Sequence, residues 1–83
     1  MELRYLRDSE GREVDFVVVR GRKPLFAVEV KRREASPSPS LRYFKARVGI
    51  PRWYQVHLDA RDAVVEGVRI LPLGALCREL GIP

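Results

Sequence analysis

The 83-residue chain holds a single cysteine, Cys77, and a single histidine, His57. That scarcity excludes an internal disulfide and a cysteine-based zinc site. No nucleophile–histidine arrangement of the kind hydrolytic triads need is recognisable in the sequence. Cys77 sits in the apolar helical pattern LGALCREL and reads as a buried thiol. His57, the lone histidine, reads as structural. No Gly-rich phosphate loop or Walker motif occurs, so ATP is not an expected ligand. No apolar run approaches the length of a membrane span, and MELRYLRDSE is charged from residue 2, unlike a signal peptide. An intracellular, cytoplasmic protein is the expectation. Internal repeats are absent, and the length allows one domain at most, with a core small enough that a partner subunit would help it.

Charge of one sign is also locally missing, since no acidic residue stands between Glu34 and Asp59. Arg42, Lys45, Arg47 and Arg52 fill that span, interleaved with Tyr43, Phe44, Trp53 and Tyr54. Two readings fit. Basic and aromatic residues together suit phosphate contacts and base stacking. Alternatively, Phe44 and one of Trp53 and Tyr54 belong to the core, and the charges form a solvated helix face. The whole chain carries 16 Lys+Arg against 11 Asp+Glu, a formal charge of +5. Thirteen of the sixteen are arginine, a side chain suited to bidentate phosphate contacts. A nucleic-acid partner is permitted by this balance and not required by it.

Residues 2–8 read as a first strand, closed by a turn at Ser9–Arg12. Residues 13–20 and 25–31 form a second and a third, whose continuous apolar runs suit strands covered on both faces. Ser38-Pro39 supplies an N-cap and an N1 proline for a helix with Leu41, Phe44 and Val48 on one face and Gly49 as its stop. Residues 35–38 themselves read equally well as a loop. Residues 52–58 form a fourth strand, Asp59–Asp62 a turn, and Ala63–Leu71 a fifth strand open to a break at Gly67. Pro72 then opens a helix with Leu73, Leu76 and Leu80 at helical spacing. This order predicts an α/β domain with a mixed sheet of about five strands and two helices.

If the second and third strands form a hairpin with residues 21–23 as its loop, opposed residues sum to 44. Val17 then faces Ala27, Asp15 faces Glu29 and Glu13 faces Lys31, all on one face. Phe16, Val18, Phe26, Val28 and Val30 cover the other. Like charges directly opposed are destabilising, so Asp15 against Glu29 asks for a reason. A hard divalent cation such as Mg²⁺, which takes one or two carboxylates, supplies one. The plainer alternative is a solvated strand end, with Glu13 and Lys31 as an ion pair and an arginine for each acid.

Asp15 followed, after 13 residues, by Glu29-Val30-Lys31 resembles the D…(D/E)-x-K signature of PD-(D/E)xK, or restriction-endonuclease-like, nucleases. More specifically, GREVDFVV with PLFAVEVKRR resembles DUF4143, the C-terminal domain of a family of prokaryotic AAA-type ATPases. The likeness runs over essentially the whole chain. It implies a minimal restriction-endonuclease-like core, and Mg²⁺ or Mn²⁺ held by Asp15 and Glu29 with the Val30 carbonyl as a third oxygen. Lys31 would position or activate the attacking water, and DNA would be the substrate. Arg32 and Arg33 would flank the site as DNA contacts, with Arg42 and Lys45 beyond them. Glu13 matches the family pattern without an assigned role, and Gln55 would reach the site if its strand neighbours the third. One departure stands out: the helix that opens the superfamily core is missing before the first strand. A homodimer, or another protein over the sheet face left bare, is therefore expected. The alternative function is a catalytically inactive interaction module.

Overall fold

A computed structural model describes residues 2–31, 36–57 and 62–81. Its elements run β1 (Glu2–Arg7), β2 (Glu13–Arg20), β3 (Lys23–Val30), α1 (Pro39–Lys45), β4 (Trp53–His57), β5 (Ala63–Val65), β6 (Val68–Pro72) and α2 (Leu73–Leu80). The strands form one mixed sheet in the order β1-β2-β3-β4-β6-β5. β4 lies parallel to β3 and to β6, and the remaining pairs are antiparallel. The α/β class is as the sequence pattern predicts. The sheet has a sixth strand because residues 63–72 fold back as a hairpin. Glu66 and Gly67 both hold positive φ, 53° and 77°, the backbone a tight two-residue turn requires and glycine adopts without cost.

Alternation along the strands gives the sheet two buried faces. Val17, Ala27, Trp53 and Ile70 gather with Leu41 and Phe44 of α1. Their neighbours in sequence, Val28, Tyr54 and Leu71, gather on the opposite side with Leu76 of α2. Phe44, Trp53 and Tyr54 are thus all core residues, and the Trp53 indole N–H donates to the Ile50 carbonyl at 2.9 Å. Both aromatics of that neighbouring pair are buried, where the sequence reading placed only one. α2 lies over β4 and β6, while Leu3, Tyr5, Phe16 and Val30 stay exposed on the strands.

Several boundaries differ from expectation. The β2–β3 loop is Gly21-Arg22 rather than residues 21–23, because Arg20 pairs with Lys23 and Val19 with Pro24. The register sums to 44 from Phe16–Val28 to Val18–Phe26, and slips by one at a bulge beyond Val18. α1 ends at Lys45, before Gly49. Pro72 closes β6 and, as expected, opens α2 as its N-cap. Cys77 is half-buried. The turn at Asp59–Asp62 lies outside the described residues except for Asp62.

The β1–β2 turn is organised by Asp8, whose Oδ1 accepts the Glu10 and Arg12 N–H groups at 3.0 and 2.9 Å. Its Oδ2 takes the Arg12 guanidinium at 2.8 Å, which holds the Asp8 carboxyl below the usual range. Arg12 also stacks over the Tyr43 ring at 4.0 Å, with Arg47 over the same ring at 3.8 Å. This tie fastens α1 to the first turn of the sheet.

Candidate active site

β3 ends on Glu29 and Val30, and Lys31 follows it. Because β4 runs parallel to β3, Glu29 stands in register beside Gln55, and Val30 beside Val56. The Lys31 N–H continues the contact, donating to the Val56 carbonyl at 2.7 Å. Alternation turns Glu29 to the α1 side, where only 4% of it is exposed. A carboxylate so placed costs free energy unless hydrogen bonds or cations compensate it. The Ser38 hydroxyl donates to Glu29 Oε2, and Lys31 Nζ lies 3.8 Å from Oε1.

Ser38 is the N-cap of α1 and is itself buried. Its Oγ accepts the Leu41 N–H at 3.1 Å while donating to Glu29, so one hydroxyl both starts the helix and binds the acid. Gln55, fully buried, closes the cluster. Its side-chain oxygen accepts the Ser38 N–H at 2.9 Å, and its amide donates to the Ser36 carbonyl at 2.8 Å. Ser38 was legible in the sequence as a helix cap but not as a partner of Glu29.

Asp15 reaches the same strand end by a different route from simple alternation. β1 and β2 slip register between Arg4–Val17 and Leu6–Val14, so Asp15 and Phe16 together oppose Tyr5. This bulge brings Val14 into the core beside Val17 and leaves Asp15 exposed. The Asp15 carboxylate turns to β3, where Oδ2 accepts the Val30 N–H at 2.8 Å. The Asp15 side chain therefore contacts Val30, while the β2–β3 pairs keep the expected register as far as Phe16–Val28; the bulge breaks the single-face alignment of Glu13, Asp15 and Val17. Glu13 pairs with Arg7 at 3.2 Å instead of with Lys31.

The expected DNA contacts divide. Arg32 and Arg33 lie outside the described residues. Arg42 is exposed and bound to Glu66, at 2.9 Å from Nε and 2.8 Å from Nη2, while Lys45 packs near Gly67 at the β5–β6 turn. His57 is buried at the end of β4.

The structure brings Ser38 and Lys31 to Glu29, and the Val30 N–H to Asp15. Asp15 and Glu29 offer oxygen ligands, and Mg²⁺ asks for only one or two carboxylates with water filling the rest. Asp15 Oδ1 makes no hydrogen bond among the described residues. No group of three His, Cys, Asp or Glu side chains gathers among those residues.

Residues 1–76 match the model of a protein family described as a domain of unknown function, DUF4143. The chain belongs to the DUF4143 family. No curated protein and no solved structure matches it. In this DUF4143 domain EVDF opens β2 with Asp15, and VEVK closes β3 with Glu29 and runs on to Lys31. Among its described residues no helix is long and apolar enough to cross a membrane.

Proposed function

We propose that this DUF4143 domain is nuclease-like, binding DNA and hydrolysing phosphodiester bonds with Mg²⁺ or Mn²⁺. One observation carries the reading: a buried carboxylate, Glu29, has the Lys31 ammonium 3.8 Å from its oxygen, at a strand end where Asp15 also arrives. Asp15 and Glu29, with the Val30 carbonyl, would hold the cation. When bound, such an ion polarises a phosphoryl oxygen and lowers the pKa of a coordinated water. Lys31, with its side chain about one-third exposed at 34%, presents donors to that water and positive charge to the phosphate. The formal charge of +5 favours a polyanionic substrate.

The test is cleavage of linear, single-stranded and four-way-junction DNA in Mn²⁺ by wild type and Glu29→Gln. Wild type is expected to cut at least one of these substrates. The variant, which keeps shape but loses charge, is expected to fall by at least about a hundredfold, the scale set by loss of one charge-stabilising group.

A second reading is a self-associating interaction module without catalysis. It is favoured by the apolar side chains of Leu3, Tyr5, Phe16 and Val30, exposed on the β1–β3 half of the sheet. Silence from both proteins on every DNA, with a dimer in light scattering, would move the assignment to this module.

A further inference from the structure

Glu29 emerges from β3 into a cluster built by a different part of the chain. Two side chains fix the segment that enters α1. Gln55 binds it on both sides of Pro37, at the Ser36 carbonyl and the Ser38 N–H. Ser38 then passes the constraint on, because its hydroxyl accepts from Leu41 and therefore has its own hydrogen directed at Glu29. A hydroxyl has one hydrogen to donate. With the helix cap fixing the acceptor side, the direction of that donation is set by the position of α1. Glu29 Oε2 is held on Ser38, and Oε1 is the oxygen on the Lys31 side.

We propose that Ser38 is a positioning residue of the candidate cation site, orienting the Glu29 carboxylate from the N-terminus of α1. The assignment rests on the nuclease-like reading above. Ser38 touches neither the cation nor the substrate. It selects the carboxylate oxygen turned to Lys31, and it links the cation site to the helix that carries Arg42 and Lys45. Outer partners of this kind typically govern metal affinity by about 10- to 100-fold.

The experiment is calorimetric titration of the whole chain with Mn²⁺, comparing wild type, Ser38→Gly and Ser38→Thr. Glycine is well tolerated as an N-cap, so Ser38→Gly removes the hydroxyl at little expense to the helix. The expected result is Mn²⁺ affinity about tenfold or more weaker in Ser38→Gly, with the folded far-ultraviolet spectrum retained, and recovery in Ser38→Thr. A merely structural serine would lower the melting temperature without moving the affinity of the folded protein. Equal Mn²⁺ affinity in wild type and Ser38→Gly overturns the Ser38 assignment and leaves the nuclease-like reading standing. Failure of the wild type to bind Mn²⁺ overturns both. Should Ser38→Gly fail to fold, Ser38→Cys replaces it, since a thiol keeps the shape and donates far more weakly.

Discussion

Gln55→Met is expected to destabilise the domain by roughly 2–4 kcal/mol, although methionine fills nearly the same volume. Gln55 is fully buried and makes two hydrogen bonds, to the Ser38 N–H and the Ser36 carbonyl. A thioether replaces neither. An orphaned buried polar group costs about 1–3 kcal/mol, and here the Ser38 amide is buried with its residue. A chain of this size has a total stability of roughly 4–12 kcal/mol, so the loss is a large share of it. Urea unfolding measures it as a lower midpoint at constant slope. Gln55→Glu makes the opposite comparison informative. It keeps an acceptor for Ser38, but sets a second carboxylate in register beside Glu29. A midpoint for Gln55→Met within experimental error of wild type would show that the amide does not hold the α1 approach.

Leu41→Ala is expected to cost about 3 kcal/mol. Leu41 is fully buried one turn into α1 and packs in the cluster of Val17, Ala27, Trp53 and Ile70. Leucine-to-alanine changes at such sites cost about 2–5 kcal/mol, the spread reflecting how far the surroundings collapse. For a domain of this length, that corresponds to a fall in melting temperature of roughly 12–24 °C. Leu73→Ala, at a site 55% exposed, is the control and should change stability by no more than about 0.5 kcal/mol. Equal effects of the two substitutions would contradict the placement of α1 against the sheet. Because Ser38 caps this helix and binds Glu29, loosening α1 also loosens the acid.

Much of this architecture is written locally in the sequence. The apolar runs of β2 and β3 marked strands that belong inside a sheet, and Ser38-Pro39 marked the helix start through cap chemistry that depends on few residues. The positive-φ turn at Gly67 was visible as a break because glycine is the residue such a turn favours. The hairpin register was legible where Val17 meets Ala27, since that pair depends only on alternation. It failed where strands depart from alternation. Nothing in EVDFVV announces that Asp15 and Phe16 share one position opposite Tyr5, because a bulge is set by the pairing with β1. The site shows the same division. Asp15, Glu29 and Lys31 stand out as charges interrupting or ending apolar strands. The bond from Ser38 to Glu29 joins residues of β3 and α1 that meet only once β4 has fixed the intervening segment through Gln55. Arg42 and Glu66 pair across 24 positions, which composition alone does not reveal.

The most direct test of a cation site at the end of β3 is a Mn²⁺ titration followed by electron paramagnetic resonance, on wild type and Glu29→Gln. A cation held by Asp15 and Glu29 predicts saturable binding of one ion by wild type, weakened at least about tenfold when the Glu29 charge is removed. No saturable binding by wild type, or the same affinity in both proteins, would contradict it and leave Glu29 as a buried acid bound by Ser38 and Lys31.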